Sequence, residues 1–521
     1  MKNILKILNR REKFQLSKLS IFSLINSIAE SLSIAMLIPI LTFIFNKGQF
    51  NENIIFFGFI NNFLNKFQND ILTLIILLVS VYLVKALFQM FFIWYQAKTV
   101  LDIEFNISKR VFKSFLFQDY QKAIKKNSSI IMEILSREVK NFGTCLIQIT
   151  NLLLETSLVL ILIFIMFMTF GNIFLKILLI LISSVILIYL IFGRKFKSWG
   201  YKRHEYATKA LKNMMHGINS FKEIKLYNKE DFFNLKYIEN LKVGFNYIKL
   251  LTFFTSIPRI LYEILFILII SSYIYIYSKG SFNLDASIPL IAFAGAAIVR
   301  TLPGLSRISS AISQINASTV SVSKIDELVS DKEYSLIKNE NKVQKRTNGK
   351  VLKGNIQIKN LSFKYENQKQ NIIENLNLVI KSGEYIGLKG YTGSGKTTLI
   401  NLICGLINLQ NGEILIDDEN ISKIKSSWQK EIGYVPQKIY LMDDTIKNNI
   451  IFGDNHNNYD DSKLKDILKT SCVGNFINSL PDGVETNVGE NGVFLSGGQV
   501  QRIGIARALY SQPKFLILDE A

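Results

Sequence analysis

The stretch Gly390-Tyr391-Thr392-Gly393-Ser394-Gly395-Lys396-Thr397-Thr398 decides how the second part of this chain folds. It fits G-x-x-x-x-G-K-[ST], with Gly390, Gly395, Lys396 and Thr397 at the fixed positions. An apolar run over 384–388 precedes it and a helical pattern over 398–406 follows, so a strand, a loop and a helix are expected in that order. The glycines let backbone N–H groups converge on phosphate oxygens at a helix N-terminus, where the dipole already favours anions. Lys396 supplies a point charge for the β- and γ-phosphates, and Thr397 a hydroxyl for Mg2+. Thr392, Gly393, Ser394 and Thr398 complete the cradle. Alone, such a loop serves ATP or GTP, so the rest of the chain has to choose.

Four further strings choose. Tyr365 follows Leu361-Ser362-Phe363-Lys364, and Gln437 closes Tyr434-Val435-Pro436. Leu495-Ser496-Gly497-Gly498-Gln499 comes next, and the apolar run Phe515-Leu516-Ile517-Leu518 ends on Asp519 and Glu520. Together these resemble the ATPases of ABC transporters: the signature sequence at 495–499 without a substitution, Gln437 at the Q-loop, Tyr365 where an aromatic residue stacks on adenine, and Asp519-Glu520 ending a Walker B run. A glycine turn or a core tyrosine accounts for one such string, not for five in family order.

The resemblance implies a mechanism. Phosphoryl transfer to water needs positioning and charge stabilisation more than covalent chemistry. Asp519 would hold Mg2+ through water beside Thr397 and Gln437, all hard oxygen donors of the kind Mg2+ prefers. Glu520 would orient and deprotonate the attacking water, with Lys396 and Gln437 at the same centre. Ser496, Gly497, Gly498 and Gln499 would meet the γ-phosphate of ATP bound by the opposite subunit. Each motif occurs once, so two complete sites need two chains, and a homodimer is expected. Ala521 follows Glu520 directly, whereas the family continues into a D-loop and a switch histidine. His204, His216 and His456 cannot take that place. The chain is therefore expected to be truncated relative to a hydrolysing parent and to hydrolyse ATP poorly itself.

Charge separates the two halves. Residues 351–521 hold 18 Lys+Arg against 19 Asp+Glu, which leaves 43 basic and 22 acidic side chains for the first 350 residues. That excess falls between long apolar runs, which favours a membrane surface over nucleic acid. Six segments are apolar enough to span a bilayer, near 19–46, 70–95, 147–169, 173–193, 253–277 and 286–308. Basic residues crowd the N-terminus (Lys2, Lys6, Arg10, Arg11, Lys13, Lys18), segment 98–140 and segment 194–249, while the other connections are short and poor in charge. The positive-inside rule then puts the N-terminus, both long loops and the nucleotide domain in the cytoplasm of a cell bounded by this inner membrane.

The expected fold is thus an α-helical six-span domain of the ABC-exporter type over 1–327, a linker over 328–350, and an α/β P-loop domain over 351–521. Helical periodicity at Ile107, Val111, Phe115 and Leu116 marks the loops as helical extensions, with short connecting helices near 119–125 and 217–225 expected to press on the nucleotide domain. A basic helix lying on anionic lipid is the alternative. Residues 54–66 have the pattern of an interfacial helix. Cys145, Cys404 and Cys472 have neither metal nor disulfide spacing.

Ionisable residues within spans are costly and usually face a cavity or each other. Glu30, Lys85, Glu155, Arg259, Glu263, Arg300 and Arg307 are the candidates. Lys85, Arg259, Arg300 and Arg307 lie at similar depth, and in a dimer-lined cavity they would suit a polyanionic head group such as pyrophosphate. The alternative pairs Arg259 with Glu263 and makes Arg307 an interfacial anchor. Residues 257–263, 299–308 and 478–499 resemble the flippases of lipid-linked oligosaccharides in bacterial protein glycosylation, the PglK type. That resemblance implies an outward cavity lined by the same four cations that receives the pyrophosphate-oligosaccharide, Lys85 replacing an arginine and losing its bidentate fork. Export of another lipid, a drug or a peptide, and a non-hydrolytic nucleotide-binding partner, stay open as alternatives.

Overall fold

The computed structural model describes residues 2–36, 71–125, 128–170, 172–278, 300, 303–329, 352–365, 368, 370–453 and 459–520. The chain divides into two compact units, one of residues 1–118 and 126–337, the other of 119–125 and 338–521. The expected interfacial helix, most of the sixth span and most of the linker lie outside the described residues.

The first unit is helical. Its elements are α1 (Lys2–Ile7), α2 (Arg10–Ala35), α3 (Ile71–Leu116), α5 (Ser128–Glu133), α6 (Val139–Phe170), α7 (Asn172–Asn219), α8 (Phe221–Leu226), α9 (Glu230–Ser278), α10 (303–317) and α11 (Thr319–Val329), and α4 (Tyr120–Lys125) groups with the second unit. Among the described residues two helices are long and apolar enough to cross a membrane, Ile75–Leu116 and Ile130–Ile165. At 46 residues α3 runs to about 69 Å, more than twice a hydrocarbon core, so much of it stands outside lipid.

Helix α2 is patterned inside out. Ser23, Asn26, Ser27, Glu30 and Ser31 are buried, while Ile21, Leu24, Ile28 and Leu32 are exposed. In water that would be unstable; in lipid it is how spans pack, with small polar residues inward and apolar ones toward acyl chains. Ser157 Oγ of α6 donates to Ser27 Oγ at 2.7 Å, and both hydroxyls are also tied to backbone carbonyls of their own helices.

The polar ends of the helices are held by a separate core. Ile103, Ile107 and Val111 of α3 recur every fourth residue and are fully buried against Ile4 and Ile7 of α1, Phe142 and Leu146 of α6, and Ile325 of α11. Phe115 continues the stripe half-buried, whereas Leu116 falls out of phase and is exposed. Arg110 fixes α1 and α2 onto α3: its guanidinium donates to Ile7 O (2.8 Å) and pairs with buried Glu12 at 3.0 Å.

Beside this core sits a buried polar knot. A single π-helical turn, Ile134–Glu138, joins α5 to α6 and turns Glu133, Arg137 and Glu138 to one side. Arg137 Nη2 lies 2.5 Å from Glu133, 3.3 Å from Glu138 and 2.9 Å from His204 Nδ1 of α7. His204 Nε2–H donates to Glu138 Oε2 at 2.7 Å, and its Nδ1 lies 3.6 Å from Glu133 Oε1. Thr208 and Lys324 donate to Glu133, and Ser321 of α11 to Glu138. Burial works against ionising Glu133, but hydrogen bonds from His204 and Thr208 and the charges of Lys324 and Arg137 outweigh it and hold the carboxyl at about 2. Burial likewise disfavours charged His204, and its bonds to Glu133 and Glu138 reverse that, raising its pKa. The guanidinium fills the space between the three potential ligands Glu133, Glu138 and His204, which is why the group reads as a structural tie and not as a metal centre.

The second unit is α/β. Strand β1 (Ile356–Phe363) lies between β2 (Ile373–Ile380) and β3 (Asn411–Ile416), antiparallel to both, with β4 (Glu419–Asn420) at the edge. Helices α12 (Lys396–Ile403) and α13 (Ile421–Lys430) cover this sheet. Trp428 is fully buried between them, its Nε1 donating to Ile403 O at 2.7 Å. Then β5 (Ile432–Val435), α14 (Ile446–Ile451), α15 (Asp461–Thr470), α16 (Gly497–Tyr510) and β6 (Phe515–Leu518) follow, β5 and β6 pairing in parallel. The three helices close over a second core around Leu441, Ile446, Ile450 and Ile503.

Candidate functional site

The phosphate loop is built as its sequence dictates, with one difference. Residues 384–388 form no strand; Tyr385, Ile386 and Leu388 stand exposed, and the segment is tied down at its start, where the Lys381 N–H donates to the Glu384 carboxylate at 2.8 Å. Backbone ladder partners, which an apolar run alone cannot provide, are missing from its flanks. The loop and helix do form. Gly395 caps α12 at φ +91°, and a Cβ there would lie 2.7 Å from Ile372 Cγ2, so only glycine fits. Lys396 Nζ donates to the carbonyls of Gly390 (2.6 Å) and Tyr391 (3.0 Å), which folds it back over the loop. Thr392, Gly393, Ser394 and Thr397 are exposed along this cradle, while Thr398 is buried beneath it. Tyr365, at the end of β1, brings its hydroxyl to 3.3 Å from Thr398 Oγ1, and its ring packs edge-on to Phe363. The adenine-stacking candidate and the cradle are therefore adjacent.

Parallel pairing of β5 with β6 sets the remaining groups side by side. Val435 is opposite Leu518, so the residues just beyond each strand face one another. Gln437 Nε2 donates to the Glu520 carboxylate, and Tyr434 Oη donates to Asp519 Oδ2 at 3.2 Å. Burial, and then the charge of Asp519, push the Tyr434 hydroxyl up to about 12, so it stays a donor. Sequence reading missed Tyr434; its position three residues before Gln437 was the available signal. Thr397, Gln437 and Asp519 offer hydroxyl, amide and carboxylate oxygens, and Tyr434 takes only one carboxylate oxygen of Asp519, a donor set that suits Mg2+.

Ser496 and Gln499 form a reciprocal capping box at the start of α16: Ser496 N–H donates to Gln499 Oε1 (2.8 Å) and Gln499 N–H to Ser496 Oγ (3.3 Å). At Gly497 and Gly498 a Cβ would meet nothing within 4 Å, so this tip is open. It packs through Leu495 and Val500 on the second core, apart from the core under the phosphate loop.

In the helical unit, two of the four predicted cations, Arg300 and Arg307, line a cavity of about 410 Å³, and a third, Lys85, lies beside Glu30 of its wall. They are not alone. Arg300 Nε meets Glu30 Oε1 at 2.6 Å and its Nη1 lies 3.6 Å from Glu155 Oε2. Arg307 Nε meets Glu155 Oε1 at 2.5 Å, and Lys85 lies 4.0 Å from Glu30. Two carboxylates, Glu30 and Glu155, are interleaved with these three cations and offset part of their field. The side chain of Arg259 lies outside the described residues, as does that of Glu263. The cavity also has an amide-bearing wall that the sequence reading missed, Asn26, Gln89, Gln96 and Asn151, with Gln96 donating to Thr150 (2.6 Å) and Asn151 (3.1 Å). Spacing could have found it: 85, 89, 92 and 96 share one face of α3, as do 26 and 30 on α2 and 151 and 155 on α6.

Comparison with known proteins adds the following. The profile of the ABC transporter transmembrane region matches residues 19–302, and that of the ABC transporter ATPase domain matches 373–521. An ATP-dependent lipid A-core flippase of Nitrosococcus oceani is 42% identical over 173 residues, 32% of this chain and 28% of that protein. ABC transporter B family member 6 of Dictyostelium discoideum is 41% identical over 180 residues, 33% of this chain and 26% of that protein. These matches thus span less than a third of either relative's length. Over 97% of this chain and 85% of the other, the fold resembles the structure of a bacterial Atm1-family ABC exporter with ATP bound, at TM-score 0.72 and 18% identity. With its helical transmembrane region matched over more than half the sequence and its ATPase domain matched behind it, the chain belongs to the ABC transporter family.

Proposed function

We propose that two copies of this chain form an ATP-driven flippase that moves an amphipathic, lipid-linked anion, of the polyprenyl-pyrophosphate oligosaccharide class, across the cytoplasmic membrane. The observation that carries the ATP part is the glycine-capped cradle of Gly395 and Lys396 beside Tyr365, with Gln437 and Glu520 in contact. In that reading Tyr365 stacks on adenine and Lys396 leaves its loop carbonyls for phosphate oxygens. Glu520 takes the proton from water held by Gln437. Thr397, Gln437 and Asp519 would hold Mg2+, which would supply charge neutralisation at the phosphates. Ser496, Gly497, Gly498 and Gln499 reach the nucleotide of the second copy, which makes the dimer obligatory.

The substrate part rests on Arg300 and Arg307 at the cavity, with Lys85 beside Glu30 and Arg259 proposed to join them. The N-terminus and nucleotide domain face the cytoplasm on this reading. Because Glu30 and Glu155 offset much of the cationic charge, a less highly charged amphipath, another lipid or a drug, is the second reading. The test uses the full chain in nanodiscs. Labelled adenine nucleotide should be retained by the wild type and lost in Lys396→Ala, and the low basal ATP turnover should rise with lipid-linked oligosaccharide, not with drugs, a rise that vanishes in Glu520→Gln. Failure to retain nucleotide, or a strictly monomeric particle, overturns the proposal. Stimulation by drugs alone selects the second reading.

A further inference from the structure

Three cations and two carboxylates follow one another in contact at the cavity, Lys85, Glu30, Arg300, Glu155, Arg307, all but Lys85 lining it. Neighbours on this ladder come from different helices, Lys85 from α3, Glu30 from α2 and Glu155 from α6, with the arginines near and on α10. A wall meant only to attract anions has no use for carboxylates at contact distance, since each cancels a guanidinium. Nor is Glu155 fully engaged as a fold tie. Its Oε2 is buried yet accepts no hydrogen bond among the described residues, lying 3.6 Å from Arg300 Nη1. A Cβ at position 304 would come within 2.8 Å of that oxygen, so Gly304 keeps the space the carboxylate occupies. Arg307, at the end of the ladder, is 47% exposed on its side chain and open to an incoming group.

We propose that Glu30 and Glu155 set a charge threshold for this cavity: they occupy Arg300 and Arg307 as internal counter-ions, and only a head group with more negative charge than one carboxylate displaces them. The inference rests on reading the cavity as an anion site. A phosphodiester lipid brings a single negative charge, so it offers Arg300 no more than Glu30 already does and gives up its hydration for nothing. A terminal diphosphate brings at least two charges and more acceptor oxygens. It can engage the forks of both Arg300 and Arg307. The carboxylates thereby reject the abundant singly charged lipids of the surrounding bilayer and admit the rarer diphosphate, specificity reached through repulsion as much as attraction. No bond is made or broken; one anion is exchanged for another.

The experiment compares farnesyl diphosphate with a farnesyl phosphodiester (its methyl ester) for binding to the full chain in detergent. Wild type, Glu30→Gln, Glu155→Gln, Glu155→Asp and Arg300→Gln are measured by calorimetry, with thermal unfolding as a folding control. Wild type should prefer the diphosphate, and either glutamine variant should gain about tenfold for the phosphodiester, so that the preference shrinks. Glu155→Asp, which keeps the charge on a shorter arm, should keep most of the preference and stands in if Glu155→Gln does not fold. An unchanged preference in the glutamine variants, while Arg300→Gln loses both ligands, overturns the threshold and leaves the anion site standing. Wild-type binding of both ligands by Arg300→Gln overturns the anion site itself.

Discussion

Replacing Glu138 by alanine strips the knot behind the π turn of the acceptor for four donors at once. The carboxylate is fully buried and receives His204 Nε2 at 2.7 Å, Ser321 Oγ at 2.6 Å, Arg137 Nη2 at 3.3 Å and Asn141 Nδ2 at 3.4 Å. Alanine leaves the Arg137 charge with one carboxylate partner and strands the other three donors. Breaking one side of a buried charged network costs about 3–5 kcal/mol, and at about 2 °C per kcal/mol for a unit of this size the midpoint should fall roughly 6–10 °C. Intrinsic fluorescence of the detergent-solubilised chain reads this, Trp199 lying on α7 with His204, provided scan rate is held constant. The double variant Glu138→Ala/His204→Leu should lose less than the sum of the singles, because the two share a bond. The pH profile gives a second readout with a fixed sign. Glu133, held at about 2 against an ordinary 4.5, contributes stability that is present above pH 4.5 and lost as pH falls toward 2. His204, raised above its ordinary 6.5, contributes stability that is complete below pH 6.5 and lost as pH rises through its folded pKa. The midpoint should therefore plateau between those limits, and His204→Gln should flatten the alkaline side. A midpoint for Glu138→Ala within about 1 °C of wild type would refute the reasoning.

Three more outcomes follow from other sites. Trp428→Ala removes a fully buried indole and its bond to Ile403 O, and should cost the nucleotide unit about 3–5 kcal/mol, read as a lower urea midpoint for protease resistance. Gly395→Ala places a Cβ 2.7 Å from Ile372 Cγ2 at φ +91°; retention of labelled ATP should be lost, and the further change Ile372→Ala should not restore it because the backbone strain persists. Tyr434→Phe frees Asp519 Oδ2 from its hydroxyl partner and should shift the Mg2+ concentration for half-maximal nucleotide binding a few-fold, leaving the unfolding midpoint in place.

What could be read from residues alone was what short-range geometry dictates. The glycine loop at the start of α12 and the Ile107–Val111 periodicity each depend on near neighbours in the chain, and each stands in the structure as its spacing implied. Leu116 failed because five residues beyond Val111 is out of helical phase. The run at 384–388 failed because a strand needs partners that lie elsewhere in the chain. At the cavity the cations were legible, since an ionised group in an apolar run announces itself. Their compensation was not: Arg300 finds Glu30 across 270 positions and Arg307 finds Glu155 across 152, pairings that only helix packing decides. Tyr434 escaped for the same reason, its partner being 85 residues away on the neighbouring strand.

The π turn between α5 and α6 has a consequence for how this region tolerates change. A turn of that kind holds one residue more than ordinary winding, and here the surplus falls within Ile134–Glu138. Excising a single residue would regularise the helix yet spin everything upstream by about 100°, swinging Glu133 away from Thr208 and Lys324 while Glu138 stayed with Ser321. The two flanking helices are thus keyed to each other like the teeth of a ratchet. Substitutions along them can be absorbed one by one, whereas a change in length by one residue disengages the whole set.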